Sequence, residues 1–266
     1  MKAALIRIQS MILRYCYLIR GSWPRMLEMM YWPAMNVLLW GMINGHFSQI
    51  ANQTSGYIFT TLLGAAMLWD VLFRAQMGVS LSFLEELWSC NLAQLFISPL
   101  HPREWLISLA FISLIRSLVS LFPAIILAWL VYDYHFWSIG WGLTVFMLNM
   151  MLMGWWLGLL SMALILRYGM GAESVAWMLV VLLAPLSAIY YPFSAIPYWL
   201  QPVAALLPSP WIFENLRHVL AGQPIDSMLL LRATGLNIFY LFAGVLVFFR
   251  GFNGARIRGS LLQQGE

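Results

Sequence analysis

Runs of apolar residues about as long as a bilayer is thick follow one another through this chain, and its few charges gather in the short stretches between them. A helix rises about 1.5 Å per residue, so a hydrocarbon core of about 30 Å needs ~20 apolar residues per crossing. The runs fall near residues 26–43, 57–79, 105–131, 136–166, 174–190 and 228–249. Of 266 residues, 62% are hydrophobic and only 9% charged, against about a quarter charged in a soluble domain. So few charges cannot cover the surface of a soluble globule of this size. The balance excludes a soluble enzyme, a disordered chain and a nucleic-acid-binding domain. The expected fold is all-α, a single polytopic membrane domain over residues 1–266. It comprises an interfacial helix in 1–25, six spans within 26–249 and a tail from 250.

The first segment departs from the others. Leu5, Ile8, Ile12, Cys16 and Ile19 recur at helical spacing, with Arg7, Ser10 and Arg14 opposite. That pattern predicts an amphipathic helix lying in the interface, cations toward the headgroups. Two further segments break the rhythm of spans. Residues 80–103 mix leucines with Glu85 and Glu86 and end at Pro99 and Pro102, which predicts a helix finishing at the membrane surface. Residues 191–222 hold Pro192, Pro197, Pro202, Pro208 and Pro210 between apolar pieces too short to cross. Such pieces predict re-entrant or interfacial helices held against protein. Inside the second run, Asp70 and Arg74 are four residues apart, the spacing of a helical ion pair. Gly154 and Gly158 form a small-xxx-small step in the fourth run, either a packing face or a chance spacing.

Lysine and arginine choose the orientation. Lys2, Arg7, Arg14, Arg20, Arg25, Arg103, Arg167, Arg250, Arg256 and Arg258 fall in one alternating set of connections, and only Arg217 in the other. The asymmetry predicts that both termini are cytoplasmic, which an even number of spans requires. Cys16 and Cys90 then lie on the reducing side.

Bond chemistry finds no footing. Lys2 is the only lysine and no glycine-rich loop precedes it, so the chain has no phosphate-binding loop of its own. His46, His101, His135 and His218 are scattered, there is no metal-ligand spacing, and no catalytic set is evident. Met147, Met150, Met151 and Met153 read as packing.

Two stretches carry a resemblance. Phe83 to Leu109, FLEELWSCNLAQLFISPLHPREWLISL, has an acid, then spaced leucines at Leu92 and Leu95, then Pro99 and Leu100. Ser194 to Leu220, SAIPYWLQPVAALLPSPWIFENLRHVL, has Pro197, Trp199 and Leu200, then Pro208, Glu214 and Arg217. With the order of segments, these resemble the ABC-2 type permeases, the membrane subunits of ATP-driven exporters. Ser89, Cys90 and Asn91 stand where that family commonly has a small Gly-Thr step.

The resemblance implies a pair of permeases, as a homodimer or with a close relative, above two separate ATPase subunits. Those subunits would bind ATP and magnesium, and this chain would hold no cofactor. Glu85, Glu86, Leu92, Leu95 and Pro99 would belong to an ATPase-coupling helix, the two acids facing basic residues of the partner. Pro192, Pro197, Trp199, Pro208, Glu214 and Arg217 would belong to an external gate. The cargo would be amphipathic: a lipid, a lipid-linked saccharide or a hydrophobic drug, crossing a cell inner membrane. Two other readings stand beside it: a membrane scaffold or assembly factor without transport, and an ion-coupled carrier.

Overall fold

The computed structural model describes residues 2–50, 55–89, 91–134 and 140–259, and among them there are helices and turns but no strand. Ten α-helices follow in order: α1 (Lys2–Arg20), α2 (Trp23–Ile50), α3 (Ser55–Trp88), α4 (Leu92–Ile97), α5 (Pro102–Tyr132), α6 (Trp141–Tyr168), α7 (Glu173–Leu183), α8 (Gln201–Ala204), α9 (Pro208–Leu220) and α10 (Ser227–Arg258). Four are long and apolar enough to cross a membrane, over Thr60–Trp88, Pro102–Tyr132, Trp141–Tyr168 and Ser227–Arg258. Four such helices mark the chain as a membrane protein.

The other two expected spans differ from the four. α2 has the length of a span but a more polar composition, with Arg25, Glu28 and Asn36 along it. The run at 174–190 is not one helix: α7 stops at Leu183, and a 3-10 turn at Ala184–Leu186 follows. Pro185 explains the stop, because its ring removes a backbone donor and crowds the preceding turn. Eleven residues make about 16 Å of helix, half of what a crossing needs.

The bundle is built on α3, which packs against α2, α5, α6 and α9. Close approach comes from glycine. A methyl group on Gly154 would lie 2.6 Å from the Ala75 Cβ, and one on Gly158 would lie 2.8 Å from the Val79 Cβ. The small-xxx-small step is thus a packing face between α6 and α3. Gly78 plays the same part toward α5, where a methyl would sit 2.8 Å from the Ser113 Cα. Hydrogen bonds cross this interface: Ser113 Oγ donates to the Ala75 carbonyl (2.8 Å) and Gln76 Nε2 to Ser161 Oγ (3.2 Å).

α10 is tied to α6 by amides. Asn237 Nδ2 donates to the Asn149 carbonyl (3.0 Å) and side chain (3.1 Å), Thr234 donates to Asn149 Oδ1 (3.1 Å), and Trp156 Nε1 donates to Asn237 Oδ1 (3.2 Å). Such bonds have little competition away from water.

Two apolar cores stack along the bundle. One gathers the middle of α3, α5 and α6 with Ile189, Ile212, Phe213 and Leu216. The other gathers α1, the end of α3, α4, the start of α5 and the last turns of α6 and α10, around Tyr15, Phe83, Trp105 and Phe248. The start and the end of the described chain therefore share one end of the molecule.

α3 continues unbroken to Trp88, and α4 forms a short separate helix before α5. One expectation about this end needs correction: α1 does not turn its cations outward. Arg7 and Arg14 point into the bundle, Met11 and Tyr15 are buried, and Leu5, Ile6, Leu13 and Tyr17 are exposed. The reason is the acids waiting below, which periodicity in α1 alone does not show. Cys90, His135 and the tail beyond 259 lie outside the described residues.

Candidate functional site

At the α4 end, four arginines converge on three carboxylates. Arg7 makes a forked pair with Glu104, Nε to Oε2 at 2.8 Å and Nη2 to Oε1 at 2.6 Å. Arg14 pairs with Glu86 at 2.9 Å. Glu85 is shared, taking Arg25 at 3.1 Å and Arg116 at 3.0 Å on its two oxygens. The pairs link α1, α2 and α5 to α3 and to the start of α5. Glu86 is 1% exposed and Arg116 5%, so these charges are held by one another rather than by water. Trp105 Nε1 donates to the Tyr15 hydroxyl at 3.1 Å, and burial, with the Glu86 charge beside it, pushes that phenol's pKa up.

The start of α5 shows why the chain turns here. His101 has extended backbone, Pro102 takes the first helical position and Glu104 reaches back to the His101 N–H at 3.2 Å, a combination that satisfies donors at a helix start. α4 lies just before it. Leu92 and Leu95 are buried, while Gln94, Ile97, Ser98 and Pro99 are exposed, Ile97 to 85%. The expectation that Glu85 and Glu86 present acid to a partner is thus corrected: both carboxylates are used within the chain. What the surface offers is Trp88, Ile97 and Pro99, an apolar knob beside polar neighbours.

At the opposite end the chain between α7 and α10 folds back on itself. Arg217 Nη2 donates to the carbonyls of Ala188, Ile189 (3.1 Å) and Tyr191 (2.7 Å). Glu214 sits 3.4 Å from the same guanidinium and accepts the Phe193 N–H. Acid and base together hold one turn of backbone, so the pair is not merely a local helix contact. Ala188 needs that grip: its φ of 52° is left-handed, rare for a residue with a Cβ. Phe193 stacks on Trp211 at 5.3 Å, and Tyr190 on Trp40 at 4.3 Å.

The prolines divide by position. Pro208 is buried at the start of α9, where a missing N–H costs nothing. Pro192, Pro197 and Trp199 are exposed. The segment also reaches inward, since the Tyr240 hydroxyl donates to the Leu206 carbonyl at 2.9 Å. Tyr240 lies about 20 Å along α10 from Ser227, at about 1.5 Å per residue.

Asp70 and Arg74 do not close the ion pair their spacing allows. Asp70 instead accepts from Asn36 Nδ2 of α2, at 3.0 and 3.3 Å. Arg74 lies over the Phe73 ring at 5.9 Å, and its Nε is buried without a hydrogen-bond partner. Sequence reading missed Asn36, and also Arg14, Arg25 and Arg116 as partners of the acids. A lone Arg116 in an apolar run was the available signal, since such a charge needs a buried counterpart. Among the described residues, no group of three His, Cys, Asp or Glu is placed to hold a metal ion. No protein-family model and no curated protein sequence matches this chain.

Proposed function

We propose that this chain is the membrane permease subunit of an ATP-driven exporter of the ABC-2 type, working as one of two protomers with two separate ATPase subunits. The observation that carries the reading is the unlike construction of the two bundle ends. At one end a short helix, α4, bridges two long apolar helices and presents Ile97 outward. At the other, a proline-broken segment is held by Glu214 and Arg217 and reaches inward as far as Tyr240. A machine driven from below and gated from above needs those two parts. In this reading α2 is a crossing, α7 and the broken chain that continues from it to residue 190 together make another, which completes six, and α1 lies along the interface. Both termini are cytoplasmic beneath a cell inner membrane, α4 seats on the ATPase, and the 191–222 segment re-enters from outside. Nucleotide and magnesium belong to the partner, and the cargo is amphipathic.

The test is purification from native membranes in mild detergent. An ATPase subunit should copurify with the chain, and Ile97→Asp should release it while leaving the bundle folded. Absence of any ATPase would overturn the reading. The internal use of Glu85 and Glu86 favours a second one, a membrane scaffold or assembly factor, for which no ATPase would be found and Ile97→Asp would change nothing.

A further inference from the structure

One face of α2 and α3 carries charge that nothing among the described residues neutralises in an ion pair. Glu28, Trp32 and Asn36 follow at four-residue steps along α2, and Arg74 and Asp70 do the same along α3. Asn36 and Asp70 meet across the two helices. Glu28 is exposed, and Arg74 is half-buried. Arg74 feels the charge of Asp70 and, more weakly, that of Glu28, yet among the described residues neither Arg74 nor Glu28 makes an ion pair within 4.0 Å. Arg74 is eleven residues before Glu85, which places it about 16 Å into the bundle from the ion-paired end. Charges at such depth face a protein partner or water, not lipid tails.

We infer that this face is covered by the same face of a second copy of the chain, with Glu28 of each protomer paired to Arg74 of the other. The argument for a second copy is self-complementarity. A two-fold axis brings a surface against itself, so an acid and a base side by side meet as base and acid, and both pairs form together. A partner of one charge sign would satisfy one residue and repel the other. The inference rests on the two-protomer part of the proposed function and names the surface on which the protomers join.

The experiment uses two full-length chains with different tags, Glu28→Arg and Arg74→Glu, expressed alone and together. Alone, each variant sets like charges together twice in its homodimer. Mixed, the two chains restore opposite charges at both contacts, although each chain by itself carries like charges. Hetero-pairs captured through both tags should exceed homo-pairs by roughly tenfold. Equal capture of hetero- and homo-pairs would overturn the inference and leave the two residues as neighbours within one chain.

Cross-linking in native membranes guards against a variant that folds poorly. In a background of Cys16→Ser and Cys90→Ser, a Glu28→Cys chain and an Arg74→Cys chain should join through a short bis-maleimide. Failure to join, with both chains inserted and labelled, would also overturn it. Neither readout depends on ATP. Hetero-pairing in preparations without any ATPase would support this surface while removing the exporter reading.

Discussion

The two ends of the bundle use charge in opposite ways. At the α4 end arginine meets carboxylate side chain to side chain, across helices whose backbones are already satisfied. At the other end Arg217 and Glu214 bond mainly to backbone, because the chain from Ala184 to Leu207 is broken and its carbonyls and N–H groups need partners. A continuous helix frees its charges to join elements together. A broken one consumes them in holding its own turns.

The largest test of this contrast is Arg217→Ala, which strands three carbonyls and leaves Glu214 without its cation. Loss of about 3–5 kcal/mol is expected in denaturant unfolding of the detergent-solubilised protein. Glu85→Gln at the other end should cost less, about 2–3 kcal/mol by the same measurement, because the amide oxygen still accepts from buried Arg116 and half-exposed Arg25 can turn to water. Arginine-to-lysine exchange sharpens the comparison. Arg217 meets its carbonyls through Nη2 alone, so Arg217→Lys can keep part of that contact and should fall between wild type and the alanine variant, whereas Arg14→Lys loses the two-point contact with buried Glu86 and should lie close to Arg14→Ala. Should both exchanges cost the same share of the alanine loss, the distinction between the ends fails. The smallest effect is a gain. Ala188→Gly removes the cost of a left-handed alanine and should raise stability by about 1 kcal/mol, seen as a higher Tm. The Arg25–Glu85 contact, nearest to water, should be the first to loosen as salt is raised, read as faster amide exchange at the start of α2.

How far the sequence went differs between the same two ends. Helix length and composition were legible wherever a run was uninterrupted, as in α3, α5, α6 and α10, because crossing a bilayer sets a minimum length that shows in one dimension. The proline-broken pieces were legible too, since Pro192, Pro197 and Pro208 mark where hydrogen bonding must fail. The end of α7 was misplaced, although Pro185 was there to stop it, because apolar residues continue beyond it. The direction of α1 was the larger error. Its periodicity separates two faces but does not say which faces the bundle. That depends on Glu86 and Glu104, far along the chain. Likewise Asp70 and Arg74 had ideal spacing for each other, yet Asn36 from a neighbouring helix took the carboxylate.

The amide knot between α6 and α10 has a mechanical consequence. Sliding either helix past the other would pull Asn149 and Asn237 apart and expose the polar groups that join them to hydrocarbon. The two therefore travel as a single plank. A rearrangement of this bundle would shear more readily along the glycine seam between α3 and α6, where contacts are close but carry fewer bonds to break.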